Sequence, residues 1–239
     1  MENDIYAEVK DRKGEIVCVG NYHASFKKST LKLFKEAYPD SFDEYDLEFI
    51  REFLEEWKED SLDQGCLLAI IEGEVVGACL FEKVAGPQDQ WETSYIFTRK
   101  SFRGRGIGRI LIGVQEEYLK NKARISFAIN PGILPEEVIS YPFWRTIGYE
   151  LWAVLPGYFR DDLSGIFLVK RNPYYRIGRG IPKDSGWCLE MVDSMTGRMI
   201  SKREYQKILR SLELVPKEKW GFDLIGKENI VVCNSQKIN

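Results

Sequence analysis

Apolar residues near the start of the chain follow first a strand period and then a helix period. Two short apolar segments, 5–9 and 16–19, flank the turn-forming sequence DRKG and predict a β-hairpin. Residues 25–38 carry apolar side chains at helical spacing, and Pro39 ends this predicted helix. A second amphipathic helix is predicted from about residue 46. The chain therefore opens with a hairpin and two helices.

Short apolar segments dominate the middle of the chain. Residues 66–71 and 75–81 are separated by Glu-Gly-Glu and predict a second hairpin, and residues 91–98 predict a further strand. A glycine-rich segment then leads into a predicted helix over 107–118. After it come a predicted strand at 124–130, a short helix at 136–147, and strands at 149–155 and 166–170, with the connection 156–165 between them. This order is typical of an α+β fold.

The pattern changes at about residue 172. The sequence RNPYYRIGRGIPKDSG, rich in Arg, Gly and Pro, is typical of a linker. After it the sequence predicts a hairpin of 187–192 and 198–200, a helix at 202–212, and short strands at 220–224 and 230–232. We therefore divide the chain into a domain of residues 1–171 and a second part, 172–239, consisting of a linker and a small C-terminal α+β subdomain.

Composition narrows the classes of function. The 34 Lys and Arg residues oppose 37 Asp and Glu, a net charge of -3 that poorly matches a dedicated nucleic-acid binder. The five cysteines form no CxxC pair and His23 is the only histidine, so we expect no metal site and no usual histidine triad. The sequence shows no signal peptide and no stretch of about 18 apolar residues, which favours a cytoplasmic protein with no membrane partner.

The candidate chemistry lies in the segment Arg103-Gly104-Arg105-Gly106-Ile107-Gly108, between a predicted strand and a predicted helix. A glycine-rich turn at a helix N-terminus lets several backbone N–H groups converge on an anion such as a pyrophosphate, and the helix dipole adds a favourable potential. The Walker pattern fails because no Lys-Ser/Thr follows the glycines, and the dinucleotide fingerprint fails because its third glycine falls at Arg109. The pattern Arg-x-x-Gly-x-Gly fits.

This motif resembles the coenzyme A signature of the GNAT family of N-acetyltransferases, Gln/Arg-x-x-Gly-x-Gly/Ala at a strand-to-helix turn. The resemblance runs from about residue 20 to 171 through the order of elements, and the stretch Phe143–Tyr149 is similar to the family's Phe-Tyr-x-x-x-Gly-Phe segment. It implies a central mixed, mostly antiparallel sheet flanked by helices. It also implies direct transfer of an acetyl group from acetyl-CoA, without a metal, to a primary amine of a small molecule or protein.

The resemblance implies roles for individual residues. Backbone N–H groups of the segment Arg103–Gly108 would hold the coenzyme A pyrophosphate, and the side chains of Arg103 and Arg105 would add charge beside the nucleotide phosphates. Pantetheine would extend along the strand at Ile96, Phe97 and Thr98, whose backbone N–H groups would polarise the acetyl carbonyl.

Glu92 is the candidate catalytic base. It lies eleven residues before Arg103, where the histone-modifying branch of the family carries a glutamate, and it would accept the proton of the attacking amine. If no bulge shifts the pleat, Glu92 shares one strand face with Ser94, Ile96 and Thr98. The alternative is a surface charge on an edge strand.

The general acid is less clearly marked. Many GNAT proteins protonate the departing thiolate with a tyrosine, but Trp144 occupies that position here. Tyr141, one helical turn earlier, or Tyr158, between the last two strands, would have to replace it. The alternative is that both are packed aromatics. The missing tyrosine and the unproven base favour, as a second interpretation, a non-catalytic coenzyme A-binding regulator with the same fold. A nucleic-acid-associated module using the Arg/Gly segments 99–109 and 176–180 is the remaining alternative.

Acidic residues near the expected acceptor entrance would favour a cationic amine, but helix capping and loop charge explain them better. They are Asp40, Asp43, Glu44, Asp46, Asp161 and Asp162. Trp152, Tyr158 and Phe159 are candidates for lining the acceptor pocket. The extension beyond residue 172 could cover the acceptor site, form a homodimer interface or bind another partner.

Overall fold

Nine strands form one sheet in the computed structural model, which describes residues 5–37, 44–57, 61, 63–84, 89–123, 125–132, 140–174 and 217–233. The strands are β1 (Ile5–Lys10), β2 (Ile16–Asn21), β3 (Gln64–Ile71), β4 (Glu74–Lys83), β5 (Gln90–Thr98), β6 (Ile125–Gly132), β7 (Glu150–Arg160), β8 (Leu163–Arg171) and β9 (Ile230–Cys233). The helices are α1 (Lys27–Ala37), α2 (Glu44–Glu56), α3 (Ile107–Leu119), α4 (Tyr141–Thr146) and α5 (Phe222–Ile225).

The sheet is mixed and mostly antiparallel, as predicted. Its strand order is β7-β8-β6-β5-β4-β3-β2-β1-β9, and β5 and β6 are the parallel neighbours in this order. Both predicted hairpins at the start of the sheet are confirmed, β1 with β2 and β3 with β4. The two N-terminal helices are confirmed as well. No helix in the described ranges is long and apolar enough to cross a membrane.

Helices cover both faces of the sheet. On one face α1 and α2 bury an apolar layer that includes Phe34, Ile50 and Phe97. On the other face α3, α4 and α5 bury a second layer that includes Leu111 and Trp144. These two layers remove most of the large apolar side chains from water, which is the dominant stabilising contribution to a fold of this size. The α3 helix approaches β4 closely because Gly77 has no side chain; a Cβ there would lie 2.9 Å from Cγ2 of Ile107.

A β-bulge in β5 changes the predicted alternation of side chains along this strand. Tyr95 pairs with Leu80 and Thr93 with Phe81, so Ser94 is the extra residue in the ladder. The alternation of side chains therefore reverses at this point. Glu92 shares the face of Tyr95 and the α1/α2 layer, not the face of Ile96, so the expectation of a common face with Ile96 and Thr98 was wrong.

The last hairpin of the central sheet is longer than predicted. Both strands extend through the expected connection 156–165, so that only Asp161 and Asp162 separate β7 from β8. Strand β7 lies at an edge of the described sheet, where the missing N–H of Pro156 need not cost a ladder bond. A shift in register between Leu155 and Arg160 accommodates the extra residues.

The other local difference before the extension is at α4. This helix begins at Tyr141, with Pro142 in its first turn, where no intrahelical N–H donor is needed. The earlier part of the predicted helix 136–147 lies largely outside the described residues.

The described part of the C-terminal extension joins the same sheet and core. Strand β9 pairs with β1, which confirms the predicted strand at 230–232. The predicted strand at 220–224 was wrong: Phe222–Ile225 forms a single helical turn between Gly221 and Gly226, both at positive φ. The side chains of Trp220 and Leu224 are buried. The elements predicted between 187 and 212 lie outside the described residues, so the subdomain there stays a prediction.

Candidate active site

The centre of the sheet opens between β5 and β6. The two strands pair at only three positions, and the last of these joins Glu92 to Phe127. Beyond that pair, β5 continues along β4 to Thr98, while β6 continues along β8 to Gly132. The strands therefore part directly after Glu92. Ile96, Phe97 and Thr98 lie on the β5 side of this opening.

The glycine-rich loop lies at the end of β5 that is farther from Glu92. A short 3₁₀ turn, Lys100–Phe102, connects β5 to it, and Gly106 is the N-cap of α3. Gly104 and Gly106 have φ of +77° and +90°, a conformation that glycine adopts without strain. The first-turn N–H groups of a helix have no intrahelical acceptor. The loop thus brings two glycines at positive φ to the N-terminus of a helix, and its use as an anion site stays a prediction.

The loop is also closely packed on its inner side. A Cβ at Gly108 would lie 3.3 Å from the ring of Phe143 at the start of α4, and Ile107 is buried. The first turn of α3 is therefore fixed between β5 and α4. This packing leaves little room for a side chain at Gly108, whereas at Gly104 a Cβ would meet nothing within 4 Å.

The two loop arginines bind protein groups. Arg103 donates from Nη2 to the carbonyl of Ala37 at 2.7 Å, at the end of α1. Arg105 is nearly buried and donates to Oδ2 of Asp11 and to Oε2 of Glu15, each at 2.6 Å. The expectation that the Arg105 side chain adds free charge beside the phosphates does not match this geometry. Its guanidinium is neutralised by two carboxylates, which leaves only its backbone N–H for the expected role.

Glu92 lies at the apex of the opening. It is half-buried and lies directly opposite Glu82 of β4, whose Oε1 accepts a hydrogen bond from the Ser94 hydroxyl at 3.1 Å. Burial and the neighbouring charge of Glu82 raise the pKa of Glu92 to about 7. Among the described residues no cation pairs with Glu92. A carboxyl group in this state can take up or release a proton near neutral pH.

A buried polar network fixes the apex from the other face of the sheet. Gln115 of α3 donates from Nε2 to the Thr93 hydroxyl at 2.8 Å, and its Oε1 accepts from the thiol of Cys79. On β6, next to the last paired position, the Ser126 hydroxyl lies 2.9 Å from the hydroxyl of Tyr149. These contacts hold β4, β5 and α3 in one arrangement. The sequence analysis did not predict this network. Its one signal in the sequence was Gln115, a polar residue on the apolar face of the predicted helix 107–118.

The aromatic candidates occupy different environments. Trp144 is 2% exposed, and its indole Nε1 donates to Oδ1 of Asn130 at 3.3 Å, so it is a packed core residue. Tyr141 begins α4 and is half-buried against the same core layer. Tyr158 is 49% exposed, and its ring packs over Gly165 beside Phe167.

Asn130 is a site candidate that the sequence analysis did not identify. It lies on the part of β6 that has separated from β5, and its Oδ1 accepts from the Ser140 hydroxyl and from Trp144. Its Nδ2 is buried and, in the described part of the chain, has no hydrogen-bond partner. A buried amide donor without a partner is costly.

Of the acidic side chains expected at the acceptor entrance, the structure describes only those of Asp161 and Asp162, so the grouping stays a prediction. Asp40 and Asp43 lie outside the described residues, as do the side chains of Glu44 and Asp46. Asp161 and Asp162 are exposed at the β7–β8 turn. Trp152 and Phe159 are also exposed, on the edge strand β7. Within the described ranges, no group of three His, Cys, Asp or Glu side chains is placed to hold a metal ion.

Comparison with known proteins places these features in a family. The family model described as "Acetyltransferase (GNAT) family" matches residues 28–149, about half of the chain. The chain belongs to the GNAT acetyltransferase family. The matched region includes the opening between β5 and β6, Glu92, and the whole glycine-rich loop, and it ends at the start of β7.

Individual relatives agree with this membership. The chain is 30% identical over 109 residues to an uncharacterized N-acetyltransferase of Methanocaldococcus jannaschii, a match that covers 44% of this chain and 65% of the relative, slightly under two thirds of its length. A putative GNAT acetyltransferase from Desulfovibrio desulfuricans matches the fold with a TM-score of 0.57 at 16% identity, covering 65% of this chain and 98% of that one. An aminoglycoside 6'-N-acetyltransferase complexed with coenzyme A matches with a TM-score of 0.53 at 16% identity, over 64% of this chain and 96% of that one.

Proposed function

We propose that this GNAT protein is an acetyl-CoA-dependent N-acetyltransferase that transfers the acetyl group directly to a primary amine. The observation that carries the proposal is the separation of β5 and β6 directly beyond Glu92, with the glycine-rich loop at the far end of the same strand. One strand thus connects a group that can accept a proton with a site that can bind a pyrophosphate.

In the proposed complex, acetyl-CoA lies in the opening. Backbone N–H groups of Arg103, Gly104, Arg105, Gly106, Ile107 and Gly108 bind the pyrophosphate, because glycine-rich turns at helix N-termini present such groups to anions. The pantetheine arm extends along Ile96, Phe97 and Thr98, and a backbone N–H there polarises the acetyl carbonyl. The buried Nδ2 of Asn130, across the opening on β6, is a further donor for the arm.

The proposed chemistry is a single acyl transfer. Glu92, directly or through water, takes the proton of the acceptor ammonium, and the nitrogen lone pair then attacks the carbonyl carbon of the thioester. The carbonyl oxygen carries negative charge in the tetrahedral intermediate and is stabilised by the strand N–H. The C–S bond breaks as the carbonyl re-forms, and the thiolate receives a proton from Tyr141 or Tyr158. The attacking nitrogen loses its second proton, through water, to the resulting tyrosinate, and Glu92 returns its proton to the solvent. The products are an N-acetyl amine and coenzyme A.

The environment of Glu92 supports a cationic acceptor. Glu82 and Glu92 project from opposite positions of β4 and β5 onto the α1/α2 face, which also carries Tyr95, whose ring packs on Phe49 of α2. Two carboxyl groups and an aromatic ring favour an ammonium group over a neutral or anionic one. The relative named as an aminoglycoside acetyltransferase has a fold of this kind, which is consistent with a polycationic small molecule as the acceptor. A lysine side chain or an N-terminal amine has the same chemistry.

Calorimetric titration with acetyl-CoA tests the cofactor site first. Gly106→Glu places bulk and negative charge in the expected pyrophosphate site and should abolish binding. Gly73→Glu is the matched control, because Gly73 has the same positive φ, lies in the β3–β4 turn, and has no atom within 4 Å of an added Cβ. Binding by the wild type and the control but not by Gly106→Glu supports the proposal, and a panel of amines then identifies the acceptor. Binding without turnover of any amine favours the regulatory alternative.

A further inference from the structure

The turn between β1 and β2 is in direct contact with the glycine-rich loop. The backbone N–H of Arg12 donates to the carbonyl of Arg105 at 3.1 Å, and its Nη1 donates to the carbonyl of Gly104 at 3.3 Å. The aliphatic part of the Arg12 side chain lies over Gly106, where an added Cβ would come within 3.6 Å of Cγ. Two successive peptide groups of the loop are thus held by their oxygens from the same side.

These two bonds determine where the loop N–H groups point. In a trans peptide the C=O and the N–H of the same plane point in opposite directions. The peptide group between Gly104 and Arg105 contains the carbonyl oxygen of Gly104 and the N–H of Arg105. The next peptide group contains the carbonyl oxygen of Arg105 and the N–H of Gly106. Both N–H groups are therefore directed away from the β1–β2 turn. Successive N–H groups that point the same way form an anion-binding concavity.

Hydrogen bonds within the β1–β2 turn hold its own conformation, so that it can orient the N–H groups of the loop. Asp11 donates its N–H to the carbonyl of Glu15 at 2.9 Å, and its Oδ1 accepts from the N–H groups of Lys13 and Glu15 at 2.8 and 3.0 Å. The other carboxylate oxygen of Asp11 accepts from Nε of Arg105, and Oε2 of Glu15 accepts from Nη2 of the same guanidinium. The Asp11 side chain is fully buried.

We propose that the β1–β2 turn is the positioning element of the pyrophosphate site: Arg12 and the ion pairs of Arg105 with Asp11 and Glu15 hold the loop so that the N–H groups of Arg105 and Gly106 face the diphosphate. This inference rests on the proposed function, since it assigns a role within the same coenzyme A site. It makes Arg12, Asp11 and Glu15 positioning residues, and it places the Arg105 guanidinium behind the loop, away from the ligand.

In the competing assignment the Arg105 guanidinium binds a phosphate. The two assignments predict opposite changes in the affinity for coenzyme A when the partners of Arg105 are neutralised. Asp11→Asn with Glu15→Gln removes the negative charges that neutralise Arg105. If Arg105 bound phosphate, the freed guanidinium would bind coenzyme A as tightly or more tightly. If the turn positions the loop, the double variant raises the Kd for coenzyme A by about five- to twentyfold, because preorganisation is lost.

Calorimetry with two ligands separates positioning from a general loss of structure. Coenzyme A carries the pyrophosphate, whereas S-acetylpantetheine lacks it. The double variant and the exposed Arg12→Ala should each weaken binding of coenzyme A while leaving the affinity for S-acetylpantetheine unchanged. Lys13→Ala is the matched control, because its exposed side chain lies in the same turn.

Each outcome decides the matter. Weaker binding of coenzyme A alone supports the inference. Unchanged or tighter binding of coenzyme A by the variants overturns it, and so does equal weakening of both ligands. If the wild type does not bind coenzyme A at all, the proposed function itself fails, which is a distinct result.

Discussion

Glu92 of β5 and Glu82 of β4 occupy directly opposite positions in an antiparallel pair, on the face of the sheet that carries α1 and α2. Side chains at such positions start about 4.5–5.5 Å apart at Cβ. Burial and this like charge raise the pKa of Glu92 to about 7. Near neutral pH the Glu92 carboxyl therefore responds to small changes in proton concentration, which is the property a general base needs.

The first prediction concerns the pH dependence of the rate. With Glu92 as the base, the protonated form is inactive, so kcat/KM for the acceptor should rise with pH through about 7 and then level off. Glu92→Gln should lower kcat by about 10²- to 10⁴-fold and remove this rising limb. Steady-state rates of thiol release between pH 5.5 and 9 measure both effects. A variant that keeps the limb would exclude Glu92 as the base.

The second prediction uses the same variant in stability measurements. The folded-state pKa of Glu92 is raised above the ordinary value of 4.5, so the folded state binds a proton more tightly than the unfolded chain does. Stability is therefore lost as pH rises from about 4.5 to about 7, and the loss is complete above that range. Relative to wild type, Glu92→Gln should gain about 1–2 kcal/mol at pH 8, after allowance for its partial exposure.

Urea unfolding of both proteins at pH 4 and pH 8 checks this. The wild type and the variant should differ little at pH 4, where Glu92 is protonated in both states. If the free energies of unfolding of the two proteins differed by the same amount at both pH values, the substitution would act through packing. The pKa of Glu92 would then not be raised in the folded state.

The position of the loop and its strand could be predicted from the sequence, but the contacts that orient them could not. The spacing from Arg103 to Gly108 located the loop, because glycines at positive φ and a following apolar period are local signals. The bulge at Ser94 is not local, since it depends on how β5 pairs with β4. The ion pair of Arg105 with Asp11 joins residues 94 positions apart, and a single sequence contains no signal for it.

The third prediction distinguishes the two candidate acids. Tyr141 starts α4 and is half-buried, directly after Ser140, which donates to Asn130 on the separated part of β6, whereas Tyr158 is 49% exposed on the edge hairpin. Proton transfer in a site closed to water is more effective, so Tyr141→Phe should lower kcat about 10- to 100-fold and Tyr158→Phe less than about threefold. Binding of acetyl-CoA should be unchanged in both variants. The reverse order of kcat would assign the acid to Tyr158, and no loss in either would mean that water protonates the thiolate.

The fourth prediction concerns a buried ion pair that attaches the C-terminal segment. Lys170 of β8 donates to Oε1 of Glu116 on α3 at 2.6 Å, and both side chains are fully buried. The other oxygen of Glu116 accepts from the N–H of Gly221, and its carbonyl accepts from the indole of Trp220. Burial raises the pKa of Glu116 against the opposing effect of Lys170. Lys170→Met leaves this carboxylate without its counterion.

We expect Lys170→Met to lower the free energy of unfolding by about 3–5 kcal/mol. Adding Glu116→Gln should restore part of the loss, because the uncompensated charge is then removed. The exposed pair of Lys32 and Glu36 supplies the control, and Lys32→Met should change stability by less than about 0.5 kcal/mol. Equal effects at the buried and the exposed pair in chemical denaturation would contradict the structure.

The fifth prediction tests how closely α5 packs on α3. Gly113 lies in the middle of α3, and a Cβ there would fall 2.5 Å from Cγ1 of Ile225 and 3.0 Å from the carbonyl of Gly221. Ala is the better helix former by about 1 kcal/mol, so Gly113→Ala would stabilise an isolated helix. Here the overlap should dominate and give a net destabilisation of about 1–2 kcal/mol.

The test is a double-mutant cycle with Ile225→Ala, which creates space for the added methyl group. The two substitutions should couple, so that Gly113→Ala costs less in the Ile225→Ala background than in the wild type. Arg109 of α3 donates to the carbonyl of Leu224 at 2.8 Å, so displacement of α5 should also loosen the first half of the helix that begins at the loop. Hydrogen exchange at the amides of α3 would report this. Stabilisation by Gly113→Ala, with no coupling to Ile225, would mean that residues 221–225 do not pack on α3 in solution.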